Sequence, residues 1–171
     1  EKPVAMNAPA NQNGQMSGEG LSDTSAQQGA LPIVIDAASG DHGGDLIAWM
    51  CDREADVNQM LRTSGGILFR GFDVDGPAAF ERVVQNSQGS LRAYIEGQSQ
   101  RSRVHGEVYT STEYPATEQI TLHNELSYTA NPPRHLFFYC QTKPATGGQT
   151  PIVDCRHLCD ALDASVVKQF T

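Results

Sequence analysis

The first 30 residues differ in composition from the rest of the chain, and this limits how much of the 171-residue sequence can build a core. Asn, Gln, Gly, Ser and Ala dominate the stretch, and no aromatic residue occurs before Trp49. Such a segment buries too little apolar surface to offset the entropy that is lost on ordering. We therefore predict that residues 1–30 are a disordered tail or linker and that residues 31–171 belong to one domain.

Hydrophobic patterning after residue 30 predicts a mainly β domain with flanking helices. We expect strands at residues 31–35 and 66–72, one helix over residues 45–61, and a second helix that begins near Pro77. Residues 86–103 are polar and predict a mobile loop. Antiparallel-type strands are expected at residues 104–112, 118–123, 134–142 and 149–153, and the strand at 134–142 is long and apolar enough to be buried on both faces. Asp154 is expected to cap a final helix.

The charge balance of the chain bears on its partners. Twelve basic and twenty acidic residues give a net charge of −8, which disfavours nucleic acid and anionic membrane surfaces as partners. No apolar run reaches the roughly 20 residues that are needed to span a bilayer. Nucleic-acid binding and membrane insertion are therefore not expected.

The four cysteines predict reduced thiols in a cytoplasmic protein, because none of them forms a CxxC pair. Cys155, His157 and Cys159 also suggest a zinc site, although a structural site needs four ligands and no second pair is present. The alternative is that Cys155 and Cys159 share one face of the final helix and line the core. We favour this second interpretation.

The most informative residues for chemistry are His123 and Glu125. On a strand, residues i and i+2 face the same side, so the imidazole and the carboxylate would project together. Such a pair suits a metal ion, and two histidines with one carboxylate hold ferrous iron while three positions stay open. The alternative for an isolated HxE motif is a surface histidine beside a solvated glutamate.

Five motifs occur together in an order that one family shares. They are residues 66–72 (GILFRGF), 108–115 (VYTSTEYP), 123–128 (HNELSY), 137–140 (FFYC) and 147–154 (GGQTPIVD). Over residues 31–171 the chain resembles the taurine dioxygenase-like (TauD/TfdA) iron(II)- and 2-oxoglutarate-dependent oxygenases, and most of all the branch with the syringomycin-biosynthesis aspartyl hydroxylase. The resemblance implies a double-stranded β-helix (jelly roll) with helices outside it, of which only the N-terminal half is present here.

The resemblance also implies specific site residues. His123 and Glu125 would be two of three iron ligands, and Thr150 would help to hold the distal carboxylate of 2-oxoglutarate, unless it is an ordinary turn threonine. The family's second iron histidine and its 2-oxoglutarate arginine lie far downstream in the family and have no counterpart before Thr171. His135 opens an apolar strand and is expected to serve packing. We therefore expect a C-terminal segment to complete the barrel, and residues 1–171 alone to be unstable and inactive.

The implied reaction uses O₂, 2-oxoglutarate and Fe(II) to hydroxylate an unactivated C–H bond. A carboxylate at position 125 argues against halogenation, which needs that coordination position for chloride. No catalytic residue beyond the metal ligands is predicted.

Candidate substrate contacts are Gln119, Thr121 and Ser127, which strand alternation would place on the face of His123, although solvent-facing polar residues give the same pattern. Arg101 and Arg103 are expected to be solvated charges, with a substrate carboxylate or a carrier-protein phosphopantetheine as the alternative partner.

The branch resemblance implies an amino-acid substrate, free or tethered to a carrier protein in natural-product biosynthesis. The alternatives are an oxygenase acting on a free small molecule, such as a sulfonate or amino acid, and a non-catalytic β-barrel binding domain.

Overall fold

The computed structural model of the chain describes residues 4–7, 31–37, 42–88, 91, 100–115 and 117–170. These residues contain six strands and five helices: β1 (Val4–Asn7), β2 (Ile33–Asp36), α1 (Leu46–Asp52), α2 (Glu54–Ser64), β3 (Ile67–Arg70), α3 (Gly76–Gln88), β4 (Arg103–His105), β5 (Val108–Thr110), β6 (Leu136–Tyr139), α4 (Cys155–Ala161) and α5 (Ala164–Val167). The early strands and the helix near Pro77 are confirmed, with shifted ends. Most of the predicted loop, at residues 89–90 and 92–99, lies outside the described residues.

The strands form two sheets, and most of their pairings are parallel. The larger sheet has the order β4-β5-β1-β6, and β2 pairs with β3 in a second sheet. Strand β1 runs parallel to both neighbours, so that Ala5 lies opposite Val108 on one side and Phe137 on the other. The expectation of antiparallel strands in the second half is met by the β4–β5 hairpin and is wrong for the pairings of β5 and β6 with β1, which are parallel. Local turn signals predict hairpins, whereas parallel pairs depend on long connections.

Strand β1 also lies in the stretch for which composition predicts a tail. Neighbouring strands on both sides take up its backbone hydrogen bonds, and this stabilisation is invisible in the composition of residues 4–7. The remainder of residues 1–30 is outside the described part, so the tail or linker there stays a prediction.

The helix that was predicted over residues 45–61 is two helices, separated at Arg53. Asp45 caps α1 by accepting a 3.0 Å hydrogen bond from the Ala48 amide. Arg53 leaves the helical conformation, and its guanidinium lies 5.1 Å from the Trp49 ring centroid. Helix α2 ends at Gly65, whose left-handed φ of 82° lets its amide donate to the Leu61 carbonyl. The break lets residues of both helices enter one core.

Two apolar clusters hold the elements together. The first combines Leu46, Trp49, Met50, Val57 and Val83, and Trp49 packs edge-to-face on Phe69 and Phe72. The second combines Phe80, Val84 and Val108, with the ring of Tyr139 stacked on Phe80. Helix α3 contributes to both clusters, so it joins the helical layer to the larger sheet.

Two of the four strands predicted for the second half are absent from the described residues. Residues 118–123 and 149–153 have no strand conformation, and the described strands leave them unpaired. Strand β6 covers only part of the predicted 134–142 run, and its residues alternate between exposed and half-buried instead of being covered on both faces. An isolated extended segment cannot satisfy its backbone groups, so alternation alone does not make a strand.

The balance of elements differs from a mainly β domain, because in the described part helices cover more residues than strands. The strands there do not close into a barrel. Within the described residues, every helix is too short or too polar to cross a bilayer.

The C-terminal helix is also divided in two. Asp154 caps α4 as predicted, with its side chain accepting from the Arg156 amide at 2.9 Å. All four cysteines are free and exposed, so the expectation that Cys155 and Cys159 line the core is wrong. The apolar residues of these helices are exposed as well, namely Leu158, Leu162 and Val166. A helix can be amphipathic in sequence and still have no described element against its apolar face.

Candidate functional site

His123 lies just before a turn that Glu125 opens, and neither residue is on a strand. Residues 125–128 form the turn, and the buried Leu126 adopts a left-handed φ of 50°. The Leu126 carbonyl accepts hydrogen bonds from the amide and the hydroxyl of Thr129, at 3.0 and 2.9 Å. A left-handed leucine is costly, and such conformations cluster at functional sites. The turn places His123 Nε2 3.8 Å from Glu125 Oε2.

The histidine ring is oriented by a backbone contact. His123 Nδ1 lies 2.8 Å from the Thr121 carbonyl oxygen, which can only accept a hydrogen bond. In the neutral ring the proton therefore sits on Nδ1, and Nε2 presents a lone pair towards the carboxylate. This is the tautomer and the orienting contact that metal-binding histidines use.

The chemistry of this donor pair fits a metal ion. Ligand atoms about 2 Å from one ion and next to each other around it are roughly 3 Å apart, so the observed 3.8 Å needs a movement of under about 1 Å. Across the described ranges no group of three His, Cys, Asp or Glu side chains converges on one point. The pair could hold two positions of a metal ion, and the zinc module of Cys155, His157 and Cys159 is not assembled among the described residues.

A third side chain, that of Arg101, reaches the carboxylate. Its Nη2 atom lies 3.3 Å from Glu125 Oε1 and 3.2 Å from Oε2, and its Nη1 atom lies 3.4 Å from the Thr110 carbonyl. The side chain of Arg101 is only 3% exposed and that of Glu125 only 10%. The expectation of a solvated charge is therefore wrong for Arg101. Sequence reasoning had no signal for this contact, because 24 residues separate its partners.

Arg103, two residues further on, has the solvated position that was expected. Its side chain is 58% exposed and lies 3.1 Å from a carboxylate oxygen of Glu107. Its guanidinium also donates to the Tyr109 hydroxyl, and this hydrogen bond, followed by the charge of Glu107, raises the pKa of Arg103. Arg101 lies before β4 and Arg103 is the first residue of that strand, so the alternation that would put both side chains on one face does not extend over the two arginines.

The other predicted site residues lie on the surface. Gln119, Ser127 and Thr150 are exposed, and Thr121 acts on His123 through its carbonyl. The strand alternation that grouped them no longer applies, because this segment is not a strand. Their roles towards substrate and 2-oxoglutarate stay predictions. His135 is half-buried, and burial, followed by the charge of Arg134, lowers the pKa of His135.

Helix α4 lies against the residue between the two candidate ligands. The thiol of Cys155 lies 3.6 Å from Asn124 Oδ1. The next residue, Arg156, donates to the carbonyls of Arg62 and Thr63 at the end of α2, at 2.8 and 2.9 Å. Basic side chains suit the unpaired carbonyls of a helix C-terminus. These contacts link the HxE turn to the helical layer.

Comparison with known proteins agrees with the motif order. Residues 27–171 match the family described as taurine catabolism dioxygenase TauD, TfdA family. A clavaminate synthase-like protein of Arabidopsis thaliana is 38% identical over 97 residues, which are 57% of this chain and 29% of the relative. The dapdiamide synthesis protein DdaC of Enterobacter agglomerans is 32% identical over 114 residues, which are 67% of this chain and 35% of the relative. The chain thus spans about a third of the length of these relatives, and it belongs to the TauD, TfdA family.

Proposed function

We propose that the protein is an Fe(II)- and 2-oxoglutarate-dependent oxygenase that hydroxylates an unactivated C–H bond of an amino-acid-type substrate. The observation that carries this proposal is the convergence of His123 Nε2 and Glu125 Oε2 at 3.8 Å, with Nδ1 held by a backbone carbonyl. Membership of a dioxygenase family supports the same chemistry.

His123 and Glu125 would hold the iron from one side. When bound, iron and 2-oxoglutarate supply an O₂-dependent oxidation that yields succinate and carbon dioxide as co-products. The Thr121 carbonyl fixes the imidazole plane, and the turn at Leu126 fixes the carboxylate. A histidine in a further segment of the domain would supply the third ligand. In this proposal Thr150 donates its hydroxyl to the distal carboxylate of 2-oxoglutarate.

Glu125 also bears on the type of reaction. A carboxylate ligand takes a coordination position that a halide would otherwise need, so the outcome we propose is hydroxylation. The 10% exposure of this side chain keeps bulk water away from the carboxylate. Gln119, Thr121 and Ser127 are proposed to line the approach of a polar substrate.

The proposed substrate class is an amino acid, free or carried on a carrier protein, in natural-product biosynthesis. A relative that is named for dapdiamide synthesis supports this class. The second candidate is a free small molecule such as a sulfonate, which the family's name for taurine catabolism favours. Free, exposed thiols at all four cysteines favour a reducing compartment, and we propose the cytoplasm.

The remainder of the domain is a proposed partner of this chain. Apolar side chains are exposed in β6, at Leu136 and Phe138, and in the loops at Leu122 and Ile152. Large apolar side chains that together form an exposed patch are normally covered in a folded protein. The family fold is a double-stranded β-helix, and the length of the relatives leaves room for strands that would cover this face.

The test is succinate formation by the full-length protein with Fe(II), 2-oxoglutarate and free or carrier-loaded amino acids. His123→Ala and Glu125→Gln should abolish turnover. His105→Ala is the matched control, because His105 is 52% exposed and His123 53%. Undiminished succinate formation in both site variants would refute the proposal, and turnover of carrier-loaded amino acid alone would identify the tethered substrate.

A further inference from the structure

The ion pair between Arg101 and Glu125 is less exposed than the pairs Arg103–Glu107 and Arg156–Asp154. The guanidinium keeps its charge at any physiological pH, so the pair places a permanent cation beside a candidate iron ligand. Because both side chains are almost fully covered, the pair is little screened by water. Its presence therefore affects any second cation that binds at Glu125.

The geometry places the guanidinium against both carboxylate oxygens. Arg101 Nη2 is nearly equidistant from Oε1 and Oε2, at 3.3 and 3.2 Å, and Oε2 is also the oxygen nearest His123 Nε2. A metal ion held by both His123 and Glu125 would share this carboxylate with Arg101. The Thr110 carbonyl anchors the guanidinium from its other side.

We propose that Arg101 is a positioning residue that holds the Glu125 carboxylate in the site before the metal binds, and that it competes with the metal for that carboxylate. This inference rests on the proposed function, because it takes His123 and Glu125 as metal ligands. Without a cation, a covered carboxylate would turn towards water, since burying an unpaired charge is unfavourable. Arg101 removes that tendency at the cost of weaker metal binding.

The sign of the effect follows from thermodynamic linkage. A divalent ion that shares the carboxylate weakens the attraction between Arg101 and Glu125 and adds repulsion from the guanidinium. If the Arg101–Glu125 interaction is stronger in the metal-free protein than in the metal-bound protein, the free energy of metal binding becomes less favourable by the difference between the two interaction energies. Removing the positive charge should therefore tighten metal binding, whereas an arginine that only supports the ligand geometry would, when removed, weaken it.

The experiment titrates the full-length protein with Mn(II) in a calorimeter. Arg101→Met should raise the Mn(II) affinity by at least about fivefold, the lower end of typical coupling between sites. Arg101→Lys keeps the charge and should show a smaller gain. Arg103→Met is the matched control, because this exposed arginine lies two residues away and contacts Glu107 and Tyr109; its affinity should equal that of the wild type.

An unchanged or lower Mn(II) affinity in Arg101→Met would overturn the inference. If Arg101→Met does not fold, thermal melts of the metal-free Arg101→Met/Glu125→Gln double variant replace the titration. That variant should melt at a higher temperature than Glu125→Gln alone, because Glu125→Gln removes the carboxylate that Arg101 contacts while the charged guanidinium stays in a covered position, and a lower melting temperature would refute the pairing. Mn(II) binding that survives Glu125→Gln unchanged would instead overturn the proposed function, and this outcome is distinct from failure of the Arg101 variant alone.

Discussion

Replacing Tyr139 by Phe removes a single hydroxyl that joins the larger sheet to helix α3. This hydroxyl donates to the Val74 carbonyl at 3.0 Å and accepts from the Gly76 amide at 3.1 Å, at the first residue of the helix. The ring stacks on Phe80 with centroids 5.4 Å apart, and Phe retains that contact. The substitution therefore isolates the two hydrogen bonds.

The expected cost follows from those two bonds. Each is worth about 0.5–1.5 kcal/mol net, so Tyr139→Phe should lower the free energy of unfolding by about 1–3 kcal/mol. With a urea dependence of about 2 kcal/mol per molar, the midpoint of unfolding of the full-length protein should fall by roughly 0.5–1.5 M. Tyr114→Phe removes the hydroxyl of a 59% exposed tyrosine and should leave the midpoint almost unchanged. Equal midpoints for the two variants would refute the reasoning.

Three further predictions concern stability. Hydrogen bonds from the Arg156 side chain lower the pKa of Asp154 to about 2, so the stabilising contribution of this carboxylate is full above about pH 4 and is lost as the pH falls towards 2. Asp154→Asn should therefore be less stable than the wild type in urea at pH 6, and a difference in stability that does not shrink towards pH 2 would contradict this. Val84→Ala deletes two fully buried methyl groups and should lower the free energy of unfolding by about 2 kcal/mol, whereas Val104→Ala at an exposed position should lower it far less. Equal losses of unfolding free energy in the two variants would show that the cluster around Phe80, Val84 and Val108 is not a core. The isolated 171-residue chain should give no single cooperative circular-dichroism melt, because the apolar face of β6 and the apolar residues of α4 are exposed; a sharp native-like transition would contradict the proposed covering segment.

Local features of the structure could be predicted from the sequence because their causes lie within a few residues. Asp154 caps α4, as predicted, through a side-chain contact two residues away, and Gly65 ends α2 because its left-handed conformation suits glycine. The HxE spacing brings His123 and Glu125 together, although the conformation expected between them was wrong. A spacing of two residues keeps side chains close on a strand and in this turn alike.

Features that depend on distant partners were decided by the tertiary structure alone. Strand β1 pairs in the larger sheet because strands from the second half take up its backbone hydrogen bonds, which its own composition does not reveal. Alternation marked residues 118–123 as a strand, but a strand also needs a neighbour. Arg101 and Arg103 look alike in sequence, and only packing buries one against Glu125 and leaves the other in water. Sequence patterns therefore determined which residues could act, whereas long-range packing determined which charges meet, because burial and pairing depend on groups far away along the chain.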